Sequence, residues 1–156
     1  MSVYVALGSN LGDRAALLKA AEEAIARLPG VKVLRRSSVH HSPAMLAPGD
    51  GTAQPDYLNS VLELSSELSP PELLAALKQI ERQLGREPGG RWAARLIDLD
   101  LLLYGDVVLD QPGIELPHPG MADRRFVLAP LAELAPELKH PVLGETIAAL
   151  LAAAPL

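Results

Sequence analysis

The spacing of apolar residues changes period along this chain, from two to about 3.6 and back again, and that succession admits few architectures. Val3, Val5 and Leu7 alternate and predict a first strand. Gly8-Ser9-Asn10-Leu11-Gly12-Asp13 breaks it as a turn. Asp13 can then cap a helix over Arg14 to Leu28, with Leu17, Leu18, Ala21, Ile25 and Leu28 on one stripe and Pro29-Gly30 as the stop. A strand is expected over Val31 to His40. Ser42 to Pro55 is rich in Pro, Gly, Ala and Asp without periodicity, and reads as a long functional or mobile loop. Alternation resumes over Tyr57 to Leu68. Ser69-Pro70-Pro71-Glu72 has the form of a capping box, opening a helix with the stripe Leu73, Leu74, Leu77, Ile80 and Leu84 and a possible end at Gly85. Glu87-Pro88-Gly89-Gly90 is a second loop, and Ile97 to Leu103 a strand. Tyr104-Gly105-Asp106 reads as a hairpin turn into Val107-Val108-Leu109, and Leu116 to Gly120 as irregular. A helix from near Phe126 to Ala135 must hold Pro130 in its first turn or kink there, and a short helix near Thr146 to Leu151 completes the chain.

Strand, helix, strand, strand, helix, strand is the βαββαβ order of a ferredoxin-like α+β sandwich: an antiparallel sheet with helices packed on it, extended here by a C-terminal hairpin and short helices. No internal repeat or linker interrupts it, so residues 1–156 read as a single domain. With 49% hydrophobic residues the chain can build a core, and with no cysteine it has neither disulfides nor thiolate chemistry. No leader pattern and no long apolar run is present, so a cytoplasmic protein without a membrane partner is expected. A net charge of −5 argues against nucleic acid as a partner. Yet six of the 14 basic residues, Arg82, Arg86, Arg91, Arg95, Arg124 and Arg125, gather in two segments. They are either solvated surface charges or a local site for a polyanion such as a nucleotide.

Asp98 and Asp100 are two apart on a predicted strand, so their carboxylates share a face about 6.6 Å apart, while Ile97, Leu99, Leu101 and Leu103 take the other. Adjacent anions repel unless a cation lies between them, and hard oxygen ligands of this kind suit Mg²⁺ with substrate phosphates. Two solvated aspartates on an exposed face are the bland alternative. Arg91-Trp92-Ala93-Ala94-Arg95 immediately precedes the strand, with Arg86 upstream; such arginines can grip phosphate or merely pair with the aspartates. Paired carboxylates with flanking arginines are the usual equipment of phosphoryl transfer. The chain has no Gly-x-x-x-x-Gly-Lys-Ser/Thr loop, and Gly8 to Asp13 needs no role beyond a turn. His118, between two prolines, can donate to a phosphate or stand by. His40-His41 make a poor metal pair, since neighbours on a strand face opposite ways. Tyr57, Trp92 and Phe126, three of five aromatics, lie near these polar motifs; a flat ring held between aromatic faces would account for that, and ordinary core packing is the competing reading.

At these residues the sequence resembles the 6-hydroxymethyl-7,8-dihydropterin pyrophosphokinase family. The likeness runs through Gly8 to Asp13, Ser42-Pro43, Gln54-Pro55-Asp56-Tyr57-Leu58-Asn59, Glu81, Gly85-Arg86, Arg91-Trp92 with Arg95, Asp98-Leu99-Asp100, Pro117-His118-Pro119, Arg124 and Phe126-Val127-Leu128. The resemblance implies transfer of pyrophosphate from ATP to the pterin hydroxymethyl group, with release of AMP, in folate biosynthesis. It implies two Mg²⁺ ions on Asp98 and Asp100, and charge stabilisation by Arg86 and Arg95. ATP contacts fall to Arg86, Arg91, Trp92, Arg95, Leu101, His118 and Arg124. Tyr57 and Phe126 would sandwich the pterin, with Asn59 and the segment Ser42, Pro43 and Met45 reading its edge. ATP and the pterin are the implied partners of a monomer. Ala93-Ala94 replaces a Gly-Pro often found between Trp and Arg, the segment between Arg86 and Arg91 is short, and that from Ser42 to Tyr57 is long. The other readings are a metal-dependent transferase for a different alcohol, a ferredoxin-like small-molecule-binding module without catalysis, and RNA binding on the open sheet, which the acidic charge disfavours.

Overall fold

The structure is a computed structural model and describes residues 2–9, 13–42, 57–85 and 97–154. Strands β1 (Val3–Ser9), β2 (Val31–Arg36), β3 (His40–Ser42), β4 (Tyr57–Ser66) and β5 (Asp98–Tyr104) form one antiparallel sheet ordered β2-β4-β1-β5, with β3 following β2 along the same side of β4. Helix α1 (Arg14–Ala26) joins β1 to β2, and α2 (Pro70–Gly85) joins β4 to β5. That is the predicted βαββαβ core. Beyond it come the hairpin β6 (Leu109–Gln111) and β7 (Ile114–Leu116), a 3-10 turn at Met121–Asp123, α3 (Arg125–Leu134) and α4 (Ile147–Ala153).

Each side of the sheet buries its own core. Val5, Leu7, Leu58, Leu62, Leu64, Leu99 and Leu101 face α1 and α2, meeting Leu18, Ile25, Leu73 and Leu77. Tyr4, Ala6, Val61 and Leu103 face the other way, against Met121, Val127, Leu128 and Leu131, with Ile147 of α4. The helices begin where their caps require. The Asp13 carboxylate accepts from Ala16 N, Thr146 Oγ1 accepts from Ala149 N, and Ser69 and Glu72 exchange bonds of 3.0 and 3.3 Å as a reciprocal box.

Three expectations need correction and a fourth is narrowed. The strand expected over Val31 to His40 is broken into β2 and β3. From Arg36 to His40 the chain advances four residues while β4 goes back three, Leu62 to Asn59, so one extra residue makes a bulge. Leu103 faces α3 rather than its expected side, because the β1–β5 register shifts between Tyr4 and Val5 and the alternation slips at Leu102. The hairpin turns at Pro112-Gly113, where Gly113 has φ of 86°, rather than at Tyr104-Gly105-Asp106. Of the two places allowed for Pro130, the first turn of α3 is ruled out: the residue lies beyond it, within the buried side of the helix.

Candidate active site

Residues directly opposite on neighbouring strands point to the same face of a sheet. Asp98 of β5 lies opposite Gly8 of β1, Gly8 opposite Asn59 of β4, and Asn59 opposite His40 of β3. The row Asp98–Gly8–Asn59–His40 therefore crosses four strands on the face that α3 and α4 cover farther along. The next row is Asp100–Ala6–Val61, whose Ala6 and Val61 already belong to the α3 core. The two carboxylates thus stand on one face, where the alternation of Ile97, Leu99 and Leu101 into the opposite core puts them.

Around the glycine the row is polar and shallow. The Asn59 amide donates from Nδ2 to Ser42 Oγ at 2.7 Å. A methyl on Gly8 would come within 3.3 Å of Asn59 Oδ1 and 3.9 Å of the Tyr57 ring, so that carbonyl and that ring flank the bare backbone. Burial pushes the Tyr57 hydroxyl above its ordinary pKa, and the negative charge of Asp98 pushes it further.

The free edge of β5 is held from outside the sheet. Glu81 Oε2 accepts from Leu99 N at 2.6 Å, while Oε1 pairs with Lys78 at 3.2 Å, so α2 fastens the peptide between the two aspartates. His118 N donates to Leu102 O at 2.9 Å, which brings the imidazole Nε2 to 3.9 Å from Asp100 Oδ1. His118 Nδ1 accepts from Gly120 N at 3.1 Å, leaving its proton on Nε2, the nitrogen toward Asp100. Burial lowers the His118 pKa, and Asp100 opposes that shift while Arg124 adds to it. The Arg124 guanidinium lies over Gly120, where an added Cβ would meet it at 2.8 Å. Beside this group a cavity of about 340 Å³ opens between α2, β5 and the hairpin. Leu74, Leu101, Ile114 and Leu116 give it apolar walls, Lys78, Gln111 and Glu115 polar ones, and Asp100 and His118 line it too.

Of the predicted site residues, Ser42, Tyr57, Asn59 and Asp98 gather along the row, and Asp100, Leu101 and His118 line the cavity, with Arg124 beside His118. Phe126, 38% exposed, opens α3, which packs on β3 and β4. Arg86, Arg91, Trp92, Arg95, Pro43 and Met45 lie outside the described residues. Sequence reasoning missed the part Gly8 plays, because a glycine after a strand reads as a turn and only the register shows Asn59 opposite it. It also missed Lys78, which continues the α2 stripe from Leu74 at helical spacing, and Gln111 and Glu115, which lie in a hairpin expected elsewhere.

Asp98 and Asp100 supply hard oxygen donors, and among the described residues no group of three or more histidines, aspartates or glutamates forms a closed cage. Such an open pair fits Mg²⁺, which keeps waters and completes its shell with substrate phosphates.

Residues 4–136 match the family described as 7,8-dihydro-6-hydroxymethylpterin-pyrophosphokinase. The 2-amino-4-hydroxy-6-hydroxymethyldihydropteridine pyrophosphokinase of Pseudomonas aeruginosa is 44% identical over 153 residues, covering 98% of this chain and 91% of that protein. The protein of the same name from Synechocystis is 44% identical over 143 residues, covering 92% and 71%. Among solved structures, a triple mutant of Plasmodium falciparum HPPK-DHPS superposes with a TM-score of 0.74 at 16% identity, over 97% of this chain and 44% of that one. The chain spans less than half of that Plasmodium protein, and the likeness there is one of fold. With the match running from β1 past the end of α3, through every strand and loop just described, the chain belongs to the 7,8-dihydro-6-hydroxymethylpterin pyrophosphokinase family.

Proposed function

We propose that this chain transfers pyrophosphate from ATP to the hydroxymethyl oxygen of 6-hydroxymethyl-7,8-dihydropterin and releases AMP, a step of folate biosynthesis. One observation carries the reading within the family: a shallow polar floor suited to a flat ring and a cavity of nucleotide size converge on the Asp98–Asp100 pair. The pterin lies on the Gly8 backbone, where Asn59 Oδ1 accepts from its N–H edge because Ser42 has already claimed the amide's Nδ2. Tyr57 and Phe126 bound its two faces, and Ser42, Pro43 and Met45 continue its edge. The nucleoside enters the cavity against Leu101, and its phosphates run past His118 and Arg124 toward Asp98 and Asp100.

The hydroxymethyl oxygen forms a bond to the β-phosphorus as the bond from that phosphorus to the α,β-bridging oxygen breaks. The hydroxyl proton is lost to solvent and the electron pair leaves with AMP. No protein nucleophile is needed, so rate comes from position and charge. Asp98 and Asp100 would hold two Mg²⁺ ions, which when bound would supply charge neutralisation to the reacting phosphates. Neutral His118 donates from Nε2 toward a phosphate oxygen, Arg124, Arg91 and Trp92 hold the nucleotide, and Arg86 and Arg95 stabilise the charge on the group in flight. We place this chemistry in one cytoplasmic domain, 1–156, acting as a monomer without nucleic acid. Incubation with ATP, Mg²⁺ and the pterin alcohol tests it: AMP and a pterin diphosphate ester are expected in equal amounts, while ADP as the product, or no dependence on the pterin, overturns the reading.

A further inference from the structure

The bulge that separates β2 from β3 is tied down from two sides. Ser37 N donates to Val61 O and Ser37 Oγ accepts from Val61 N, each at 2.9 Å, so the hydroxyl takes the place of a ladder carbonyl beside β4. From above, one carboxylate on α3 gathers three donors. Glu133 Oε2 accepts from Ser38 N at 2.7 Å, and Oε1 accepts from Ser38 Oγ at 2.6 Å and bonds His40 Nε2 at 2.8 Å. The Ser38 hydroxyl and backbone N–H, and then His40, hold the Glu133 carboxyl at about 2, so it is charged wherever the protein is folded at ordinary pH.

Both ends of this clamp lead to the pterin floor. His40 is directly opposite Asn59, and Ser42, two residues on and on the same face of β3, sets the direction of the Asn59 amide. Seven residues before Glu133 on α3, two helical turns and about 10.5 Å away on the same side, is Phe126. We infer that Glu133 is a positioning residue for the pterin: by fixing β3 against α3 through Ser38 and His40, it sets the Asn59 amide and Phe126 at the spacing the ring requires. This rests on the reading of Ser42, Asn59 and Phe126 as the pterin site. Glu133 is 39% exposed and does not line the cavity beside Asp100 and His118, so its bonds go into geometry at one substrate rather than into the core.

Glu133→Gln turns one of the acceptor oxygens into a donor, and Glu133→Ala removes the clamp. Steady-state kinetics on both, with each substrate varied in turn, should show the KM for the pterin rising about tenfold and that for ATP changing less than about twofold, with folding checked by thermal melting. Should Glu133→Ala not fold, Glu133→Gln carries the measurement alone. An unchanged pterin KM, or equal rises in both KM values, overturns the positioning role while product formation by the unaltered protein leaves the reaction standing. Absence of product from the unaltered protein overturns both.

Discussion

Between Asp98 and Asn59 the row across the sheet carries no side chain, because position 8 is glycine. The 3.3 Å that a methyl would leave to Asn59 Oδ1 is shorter than carbon and oxygen accept without one of them moving. Gly8→Ala should therefore raise the pterin KM about tenfold by shifting the Asn59 amide, which we propose reads the ring, while the strand itself loses nothing, since alanine in a strand costs less conformational entropy than glycine. Kinetics and a melting curve check this: an unaltered KM together with a lower melting temperature would put the role of Gly8 in folding instead. The aspartate pair was legible in sequence because strict alternation survives from Ile97 to Leu101, and alternation fixes faces. Gly8 was not, because its meaning comes from the residue across the ladder, 51 positions away in register with Asn59.

Among the elements, β1, β2 and β4 are stapled by one acidic side chain. Glu63 of β4 is opposite Tyr4 on one side and Arg35 on the other, and accepts from Arg35 Nε at 2.6 Å, Ser2 Oγ at 2.8 Å and Tyr4 Oη at 3.2 Å. Burial pushes its carboxyl pKa up, but the bonds from Arg35, Ser2 and Tyr4 overcome that and leave it below the usual range. A carboxyl lowered on folding stabilises above its unfolded pKa and loses that contribution as pH falls through its folded value. Glu63→Gln should cost about 1–3 kcal/mol at neutral pH, and the gap in melting temperature from the unaltered protein should narrow on acidification below the ordinary carboxylate range. A gap that stays constant to pH 3 would show that packing, not charge, sets the cost. Elements with local punctuation were readable: Asp13, Ser69 with Glu72, and Thr146 cap their helices as their side chains allow. The break between β2 and β3 was not. It depends on Ser37 and Ser38 finding partners on β4 and α3, and serine hydroxyls show no such preference along the chain.

At the scale of the molecule, α1 and α2 cover one side of the sheet and, among the described residues, α3 and α4 cover part of the other. Asp98, Gly8 and Asn59 lie on that second side, outside the apolar cluster beneath α3 and α4. Chemistry and core are thereby separated along the strands rather than between layers. Asp98→Ala and Asp100→Ala should each abolish product formation and leave the melting temperature within a few degrees of the original, since no buried apolar contact is lost. Turnover retained by either variant in a pyrophosphate-transfer assay would exclude the carboxylates from the reaction. The cavity beside Asp100 and His118 was the least legible part, because its walls come from α2, β5 and a hairpin whose strands are three residues long.

The fastening of β5 has one more effect. A terminal strand with bare amides and carbonyls is an invitation for a neighbouring molecule to extend the sheet. On β5 the Leu99 amide is already engaged by Glu81 and the Leu102 carbonyl by the His118 peptide. The same two bonds that hold the strand of the aspartates also deny a stranger its foothold, so this margin of the sheet is guarded against intermolecular zippering.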